Sequence, residues 1–379
     1  MATPLRIALD GLPLQVRSAG VASYVRGLVG GLAALDADLE LRLVGLPWPA
    51  PAPRDAGWPA GVRAAPALGY PLAMGTPLPL PRLLSAEAAF GDADLFHATA
   101  YAMPRARRTP VVLTVHDLTL LRLPELGTAA LRRSVRRAAA EAGAARLVIA
   151  DSEATRRDLI QLAGVAPAAI RVVPLGVGAE FRPQPVAAAR AAVTTRFGLT
   201  EPYLLHLGTV EPRKNLPLLV EACARLWREG RLTHRLVLAG PPGWGSAALE
   251  ASIARHGVGD RVRRLGRVAD AERPALYGAA DAVLIPSVYE GFGLPLLEAM
   301  ACGAPAVASD AGALPEVAGD AALLLDPHDA QAWAEAIVAL LGDPALAARL
   351  RTAGPPRAAA FTWARCARET LAVYREAVA

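Results

Sequence analysis

The stretch SVYEGFGLPLLEAMACGAPAVASDAGALPEV, Ser287–Val317, decides how this chain is read. It follows the β-type run Ala282–Pro286, passes through a glycine-rich loop and opens a helical pattern. Gly291 and Gly293 let backbone come close to a ligand, and Pro295 suits a first helical turn, where a missing amide hydrogen costs nothing. A helix N-terminus behind such a loop is an anion site, so a phosphate or pyrophosphate is the expected guest. Glu290 in the loop and Glu298 in the first turns add acceptors suited to sugar hydroxyls.

Outward from this stretch, short β-type runs alternate with helical segments in both halves, the pattern of parallel sheets covered by helices. In the first half the strands are read at Arg6–Asp10, Glu40–Gly45, Leu95–Ala98, Val111–Val115, Leu147–Ala150 and Arg171–Pro174. In the second they are read at Tyr203–Leu207, Arg235–Ala239, Val262–Leu265, Ala282–Pro286, Ala306–Ser309 and Ala322–Leu325. The Pro-rich stretch Pro47–Pro81 has no periodicity and reads as a long loop. RPQP within Phe181–Pro185 reads as a linker. With 379 residues, more than one ordinary core covers, the expectation is two Rossmann-like domains, 1–182 and 183–379, facing a central cleft. The last helix, about 361–378, is free to pack back on the first domain.

A second motif, HLGTVEPRKNLPLLVEA, spans His206–Ala222 at the carboxyl end of the second domain's first strand. Arg213 offers a forked set of donors and Lys214 a compact charge, before an expected helix cap at Asn215. Together they suit a diphosphate leaving group as it gains negative charge. In the first domain, TVHDLTLL, Thr114–Leu121, puts His116 and Asp117 at a strand's carboxyl end, where open parallel sheets bind ligands. Asp117 is placed to orient His116 or to shape an acceptor pocket. ALDGLPLQVRSAGVASYVRGL, Ala8–Leu28, reads as first strand, loop and helix, with Gly20 in the loop.

These segments resemble glycosyltransferase family 4, whose two-domain GT-B members carry two glutamates with seven residues between them, as Glu290 and Glu298 are spaced here. The resemblance covers nearly the whole chain and is closest from His206 to Val317. It implies a retaining glycosyltransferase using a nucleotide-diphosphate sugar. By it, Glu290 contacts the donor sugar, Glu298 the ribose, and the amides of Phe292, Gly293 and Leu294 the sugar or phosphate, with Gly291 beside them. Arg213 and Lys214 match the diphosphate-binding pair, with Gly208 in the same motif. His116 matches a first-domain histidine near the reacting carbon, and Gly20 a residue approaching phosphates or acceptor. Ala22 and Ser23 depart from the more usual Gly-Ile-Gly-Arg-Tyr form, and Leu175 and Gly178 stand where Asn and Asp are frequent. The resemblance further implies reaction on one face of the sugar, the leaving phosphate helping to deprotonate the incoming hydroxyl. GTVEPRKN, the Glu290 segment and TVHDL look most like bacterial mannosyltransferases of surface-polysaccharide assembly. GDP-mannose is therefore the expected donor and a saccharide or lipid-linked saccharide the expected acceptor. dTDP- and UDP-sugars, a nucleotide-sugar epimerase on the same scaffold and a non-catalytic sugar-binding subunit are the rival readings.

No cofactor is expected, and magnesium is not required, because no DxD follows a strand. Cys223, Cys302 and Cys366 are far apart and odd in number, so neither a disulfide framework nor a zinc site is expected. The start, MATPLRIALDGLPL, has no cationic region followed by a long apolar run, and no apolar run reaches the ~18 residues that cross a bilayer. A cytoplasmic protein, with at most peripheral contact on the membrane's inner face, is the expectation. With 53% hydrophobic and 20% charged residues the chain is expected to fold throughout. Net charge +5 and pI near 9.4 permit anionic partners, but no nucleic-acid signature accompanies them. A helix over about Thr128–Ala142 sets Arg132, Arg133, Arg136 and Arg137 opposite Leu131, Val135 and Ala138. It reads either as a helix resting on anionic lipid or as a solvated helix on a core.

Overall fold

The computed structural model describes residues 4–14, 19–35, 38–45, 62–66, 85–100 and 103–379. The chain divides into two compact units, one of residues 1–176 with 361–379 and one of 177–360. The first contains β1 (Leu5–Asp10), β2 (Leu39–Gly45), β3 (Val62–Pro66), β4 (Leu95–Ala98), β5 (Val111–Val115), β6 (Leu147–Ala150) and β7 (Ile170–Val172). Their order is β3-β2-β1-β4-β5-β6-β7, with every pair parallel. β4, β5 and β6 are buried at every position, as continuous apolar strands covered on both faces must be.

The second unit contains β8 (Tyr203–Leu207), β9 (Arg235–Ala239), β10 (Val262–Gly266), β11 (Ala282–Ile285), β12 (Ala306–Ser309) and β13 (Leu323–Leu325). Its order is β10-β9-β8-β11-β12-β13, again parallel throughout. Leu219, Cys223 and Leu226 of the helix Leu216–Arg228 and Trp333 and Ile337 of the helix Ala330–Gly342 pack with Leu204, Leu236 and Leu284 in one core. In both sheets the strand order reverses beside the first strand of the unit, at β1/β4 and at β8/β11. Helices on opposite faces diverge there, and a crevice opens at the carboxyl ends.

Two expectations about organisation change. The boundary lies at 176/177 rather than 182/183; the terminal helix, free by its sequence to pack back on the first domain, joins the first unit as expected. Most of the Pro47–Pro81 loop lies outside the described residues, but Val62–Pro66 within it pairs with β2 as an edge strand. Its pattern is too short and too Ala- and Pro-rich for periodicity to reveal.

The terminal helix, Trp363–Val378, starts on Thr362, whose hydroxyl accepts from the Arg365 amide at 3.1 Å. It packs on the helix Ala19–Ala33 at Gly27 and Gly31. A methyl group on Gly27 would sit 2.1 Å from the Trp363 ring, so only glycine allows this approach. Tyr374 then reaches the sheet, its hydroxyl 2.6 Å from His97 Nδ1, while His97 Nε2 lies 2.8 Å from Thr114 Oγ1. Tyr24 joins from the other helix, 2.9 Å from the same Thr114 oxygen. This network satisfies polar groups that burial would otherwise penalise. Burial, reinforced by His116, pushes His97 down to about 3, so it is neutral.

The basic helix, Ala129–Ala142, begins on Thr128 and buries Val135, Ala138, Ala139 and Ala142. Arg132 donates to the carbonyls of Pro124 and Gly127, and Arg137 pairs with Glu141 at 2.8 Å. Two of its four arginines are therefore engaged within the chain. Among the described residues no helix is long and apolar enough to cross a membrane.

Candidate active site

In the second unit the chain leaves β8 through Gly208 and makes a single 3-10 turn, Pro212–Lys214. Asn215 follows in the left-handed region at φ 53°, which Asn tolerates better than most residues. Asn215 occupies the cap position of the helix Leu216–Arg228, but its side chain does not cap it. Its Nδ2 instead donates to the Pro327 carbonyl at 2.6 Å, which pins the turn to the loop after β13. The expected Asn215 cap is thus a left-handed hinge. Sequence could not separate these roles, because Asn serves both.

The loop after β11 is tied to this turn. The Val288 amide donates to the Arg213 carbonyl at 2.8 Å, bringing the two motifs together across the switch between β8 and β11. Glu290 meets both cations. Its Oε1 accepts from Lys214 Nζ at 2.5 Å and from Ser287 Oγ at 2.6 Å, and its Oε2 accepts from Arg213 Nη1 at 2.6 Å. Arg213 Nε donates as well to Glu211 at 2.8 Å. Burial alone would raise Glu290, but Arg213 and Lys214, with hydrogen bonds from Lys214 and Ser287, hold it well below the usual carboxylate range. Glu290 is therefore ionised, and three of its roughly four acceptor positions are used.

The downstream segment fixes the loop from below. Ala313 donates its amide to the Glu290 carbonyl at 2.9 Å. Gly312, at φ +60°, lies so close that a methyl on it would come within 2.3 Å of the same oxygen. This is the physical content of DAGALPEV. Gly291 and Phe292 are buried, and Gly293 turns the chain at φ +103° into the helix Leu294–Ala301. Leu296 and Leu297 donate back to the Gly293 carbonyl and Pro295 has no amide hydrogen, so Leu294 offers the first-turn amide without a partner inside the helix.

Glu298 lies on this helix, 4% exposed. Arg273 Nη1 donates to its Oε1 at 2.8 Å and the Tyr277 hydroxyl to its Oε2 at 2.9 Å. Burial lifts Glu298 to about 7 in spite of Arg273 and Tyr277, with Asp270 and Glu180 adding to the rise. Arg273 itself lies over the Phe181 ring, 5.2 Å from its centre. Arg273, Tyr277, Ser287 and Glu211 were not foreseen. Arg273 and Tyr277 sit in a helix without motif character, and only their 21–25-residue spacing to Glu298 across two elements makes them partners.

In the first unit His116 follows β5 directly. Its Nδ1 lies 2.7 Å from Asp151 Oδ2 and its Nε2 3.0 Å from the Thr99 carbonyl oxygen. Burial would lower this imidazole, but the Asp151 charge and hydrogen bond, with the Thr99 carbonyl, raise it above its ordinary value. A carbonyl and a carboxylate both accept, so both ring nitrogens are placed to donate, an arrangement that favours the imidazolium, while burial raises Asp151 as well. Tyr24 stacks edge-on against it, ring centres 4.9 Å apart. The orienting carboxylate is thus Asp151, at the end of β6, and not Asp117, whose Oδ1 accepts from the Thr119 amide at 3.0 Å. Gly20 is exposed in the first turn of the helix Ala19–Ala33, and a methyl on it would meet nothing within 4 Å. Among the described residues no packing demands glycine there.

Two parallel-sheet α/β units make up the chain, and in the second a buried carboxylate holds two cations where the strand order reverses. Two family models cover most of the chain: Glycosyltransferase Family 4 over residues 18–181 and Glycosyl transferases group 1 over residues 192–357. The O-antigen chain mannosyltransferase B of Escherichia coli is 33% identical over 282 residues, 74% of each chain. The D-inositol 3-phosphate glycosyltransferase of Kineococcus radiotolerans is 40% identical over 256 residues, 62% of this chain and 58% of that one. Among solved structures, sucrose-phosphate synthase from Thermosynechococcus elongatus matches with a TM-score of 0.76 at 25% identity, over 98% of both chains. The chain belongs to glycosyltransferase family 4 and is a GT-B glycosyltransferase.

Proposed function

We propose that this enzyme is a retaining mannosyltransferase that moves mannose from GDP-mannose to a saccharide or lipid-linked saccharide. The observation that carries the donor assignment is the Arg213–Glu290–Lys214 cluster at the β8/β11 switch. Two cations held in place by one buried carboxylate are preorganised, so a diphosphate gaining charge meets donors that need not reorient. Arg213 and Lys214 would take the diphosphate, the Leu294 amide a phosphate or sugar oxygen, and the spare Glu290 lone pair a sugar hydroxyl. Glu298 would take the ribose. The first unit would receive the acceptor. Mannose follows from the likeness to the Escherichia coli mannosyltransferase and from the motif pattern.

In this reading the positive charge opposite the leaving group comes from side chains, and no metal or other cofactor takes part. A second reading rests on the Kineococcus radiotolerans relative: a glycosyltransferase whose acceptor is D-inositol 3-phosphate.

Thermal unfolding with GDP, UDP, dTDP and their sugars tests the donor. Ligand at about a hundred times its dissociation constant adds roughly 2.7 kcal/mol, a shift of a few degrees for a chain of this size. GDP and GDP-mannose should stabilise selectively, and Arg213→Ala should abolish the shift. Selective stabilisation by UDP or dTDP would overturn GDP-mannose. Product analysis with lipid-linked saccharide and with D-inositol 3-phosphate separates the two acceptors, and excess EDTA should leave turnover unchanged.

A further inference from the structure

His206, the fourth residue of β8, is 1% exposed. Its Nδ1 lies 2.9 Å from the Leu284 carbonyl oxygen on β11. A carbonyl only accepts, so Nδ1 carries the hydrogen and Nε2 is a lone pair. That lone pair is buried and has no hydrogen-bond partner among the described residues. Buried acceptors left unpaired are rare in folded proteins and call for a partner. Burial, and next the Lys214 charge, push the ring down to about 4, so it stays neutral at any pH the enzyme works at.

The lone pair faces a small space that Gly208 leaves open. A methyl built on Gly208 would lie 3.3 Å from His206 Nε2, 3.5 Å from Lys214 Cε and 3.8 Å from Lys214 Nζ. The unpaired acceptor and the ammonium thus border one volume. Any residue larger than glycine at 208 would fill it.

Resting on the donor-site reading above, we infer that His206 is a positioning residue for Lys214. An ammonium has three hydrogens. Glu290 Oε1 takes one at 2.5 Å. His206 Nε2 and Lys214 Nζ are not hydrogen-bonded in this structure. When a diphosphate oxygen takes a second hydrogen, a shift of the ammonium into the space beside Gly208 brings the third to His206 Nε2 and fixes the terminal rotation of the lysine. A neutral acceptor suits this place, because it orients the ammonium without cancelling the charge that the diphosphate needs.

The test compares GDP with GMP, or the matched diphosphate and monophosphate of whichever nucleotide stabilises the protein. His206→Asn keeps a donor near the position of Nδ1, and so the Leu284 bond, but loses the acceptor at Nε2. His206→Gln returns a neutral acceptor at the longer reach. His206→Asn should weaken diphosphate binding about tenfold and leave monophosphate binding unchanged, whereas His206→Gln should stay within about threefold of wild type. In a Lys214→Ala background, His206→Asn should cause no further loss. Equal losses for both nucleotides, or additive losses with Lys214→Ala, would overturn the inference. If Lys214→Ala alone leaves diphosphate binding intact, the donor-site reading fails. If Lys214→Ala weakens binding and His206→Asn does not, only the role of His206 fails.

Discussion

Lys214 places its ammonium 2.5 Å from Glu290 Oε1, and both side chains are 7% exposed. The two residues come from loops 76 positions apart that leave adjacent strands. Such a pair is expensive to assemble in a protein interior, and its geometry has to be good for attraction to offset lost hydration. Here Ser287 and Arg213 supply the remaining hydrogen bonds to the carboxylate.

The first prediction follows from that pair. Glu290→Gln alone leaves the Lys214 ammonium buried without its carboxylate and should cost about 3–5 kcal/mol in urea unfolding, whereas Lys214→Met leaves Glu290 paired with Arg213 and should cost less. The double variant leaves neither, so its loss should be smaller than the sum by at least ~1 kcal/mol. Strict additivity would show that the two charges do not depend on each other. The pH dependence has a definite sign. Glu290 lies below its ordinary 4.5 in the folded state, so its stabilisation is complete above pH 4.5 and is lost as the pH falls toward the folded value.

Glu298 behaves in the opposite way. Its folded value is raised from 4.5 to about 7, so the folded protein binds more protons than the unfolded chain between these limits. Its contribution to stability is best below pH 4.5 and declines as the pH rises to about 7. Glu298→Gln removes the ionisable group and keeps one acceptor oxygen, enough for Arg273 or Tyr277 in its present place but not for both. Unfolding free energies from pH 5 to pH 8 should therefore fall less steeply in the variant than in wild type. Parallel curves would mean that Glu298 stays ionised across the range.

Legibility in the sequence tracked how local each signal was. Strands such as Val111–Val115 and Tyr203–Leu207 are runs buried on both faces, and their apolar character alone locates them. The Glu290 loop was legible because Gly291, Gly293 and Pro295 punctuate it in a fixed order. What escaped notice depends on contacts between distant segments. The Arg273 and Tyr277 partners of Glu298, the Asp151 partner of His116 and the Tyr374–His97 bond all join different elements, and none leaves a periodic trace. His206 escaped for a different reason, since in YLLHL it looks like one more buried strand residue. Asn215 was placed correctly at the cap position, but its left-handed backbone and its side chain's bond to Pro327 were not legible, because a left-handed residue and a helix cap favour the same side chain.

The last prediction concerns His116. Asp151 and the Thr99 carbonyl face both ring nitrogens with acceptors, which favours the imidazolium and raises the group above its ordinary 6.5. An imidazolium has no lone pair and cannot serve as a general base. Its stabilising contribution is complete below pH 6.5 and is lost as the pH rises through the raised folded value. If the charged form supports turnover, kcat/KM should be level on the acid side of neutrality and fall on the alkaline side. Asp151→Asn removes the main group that raises the imidazole and should move that alkaline limb to lower pH, with a maximal rate reduced by about a hundredfold. The measurement is a kcat/KM profile from pH 5.5 to 9 for wild type and Asp151→Asn, with the His116 ring followed by NMR. A limb on the acid side instead, with activity gained as the imidazole loses its proton, would show that the neutral ring is the working form.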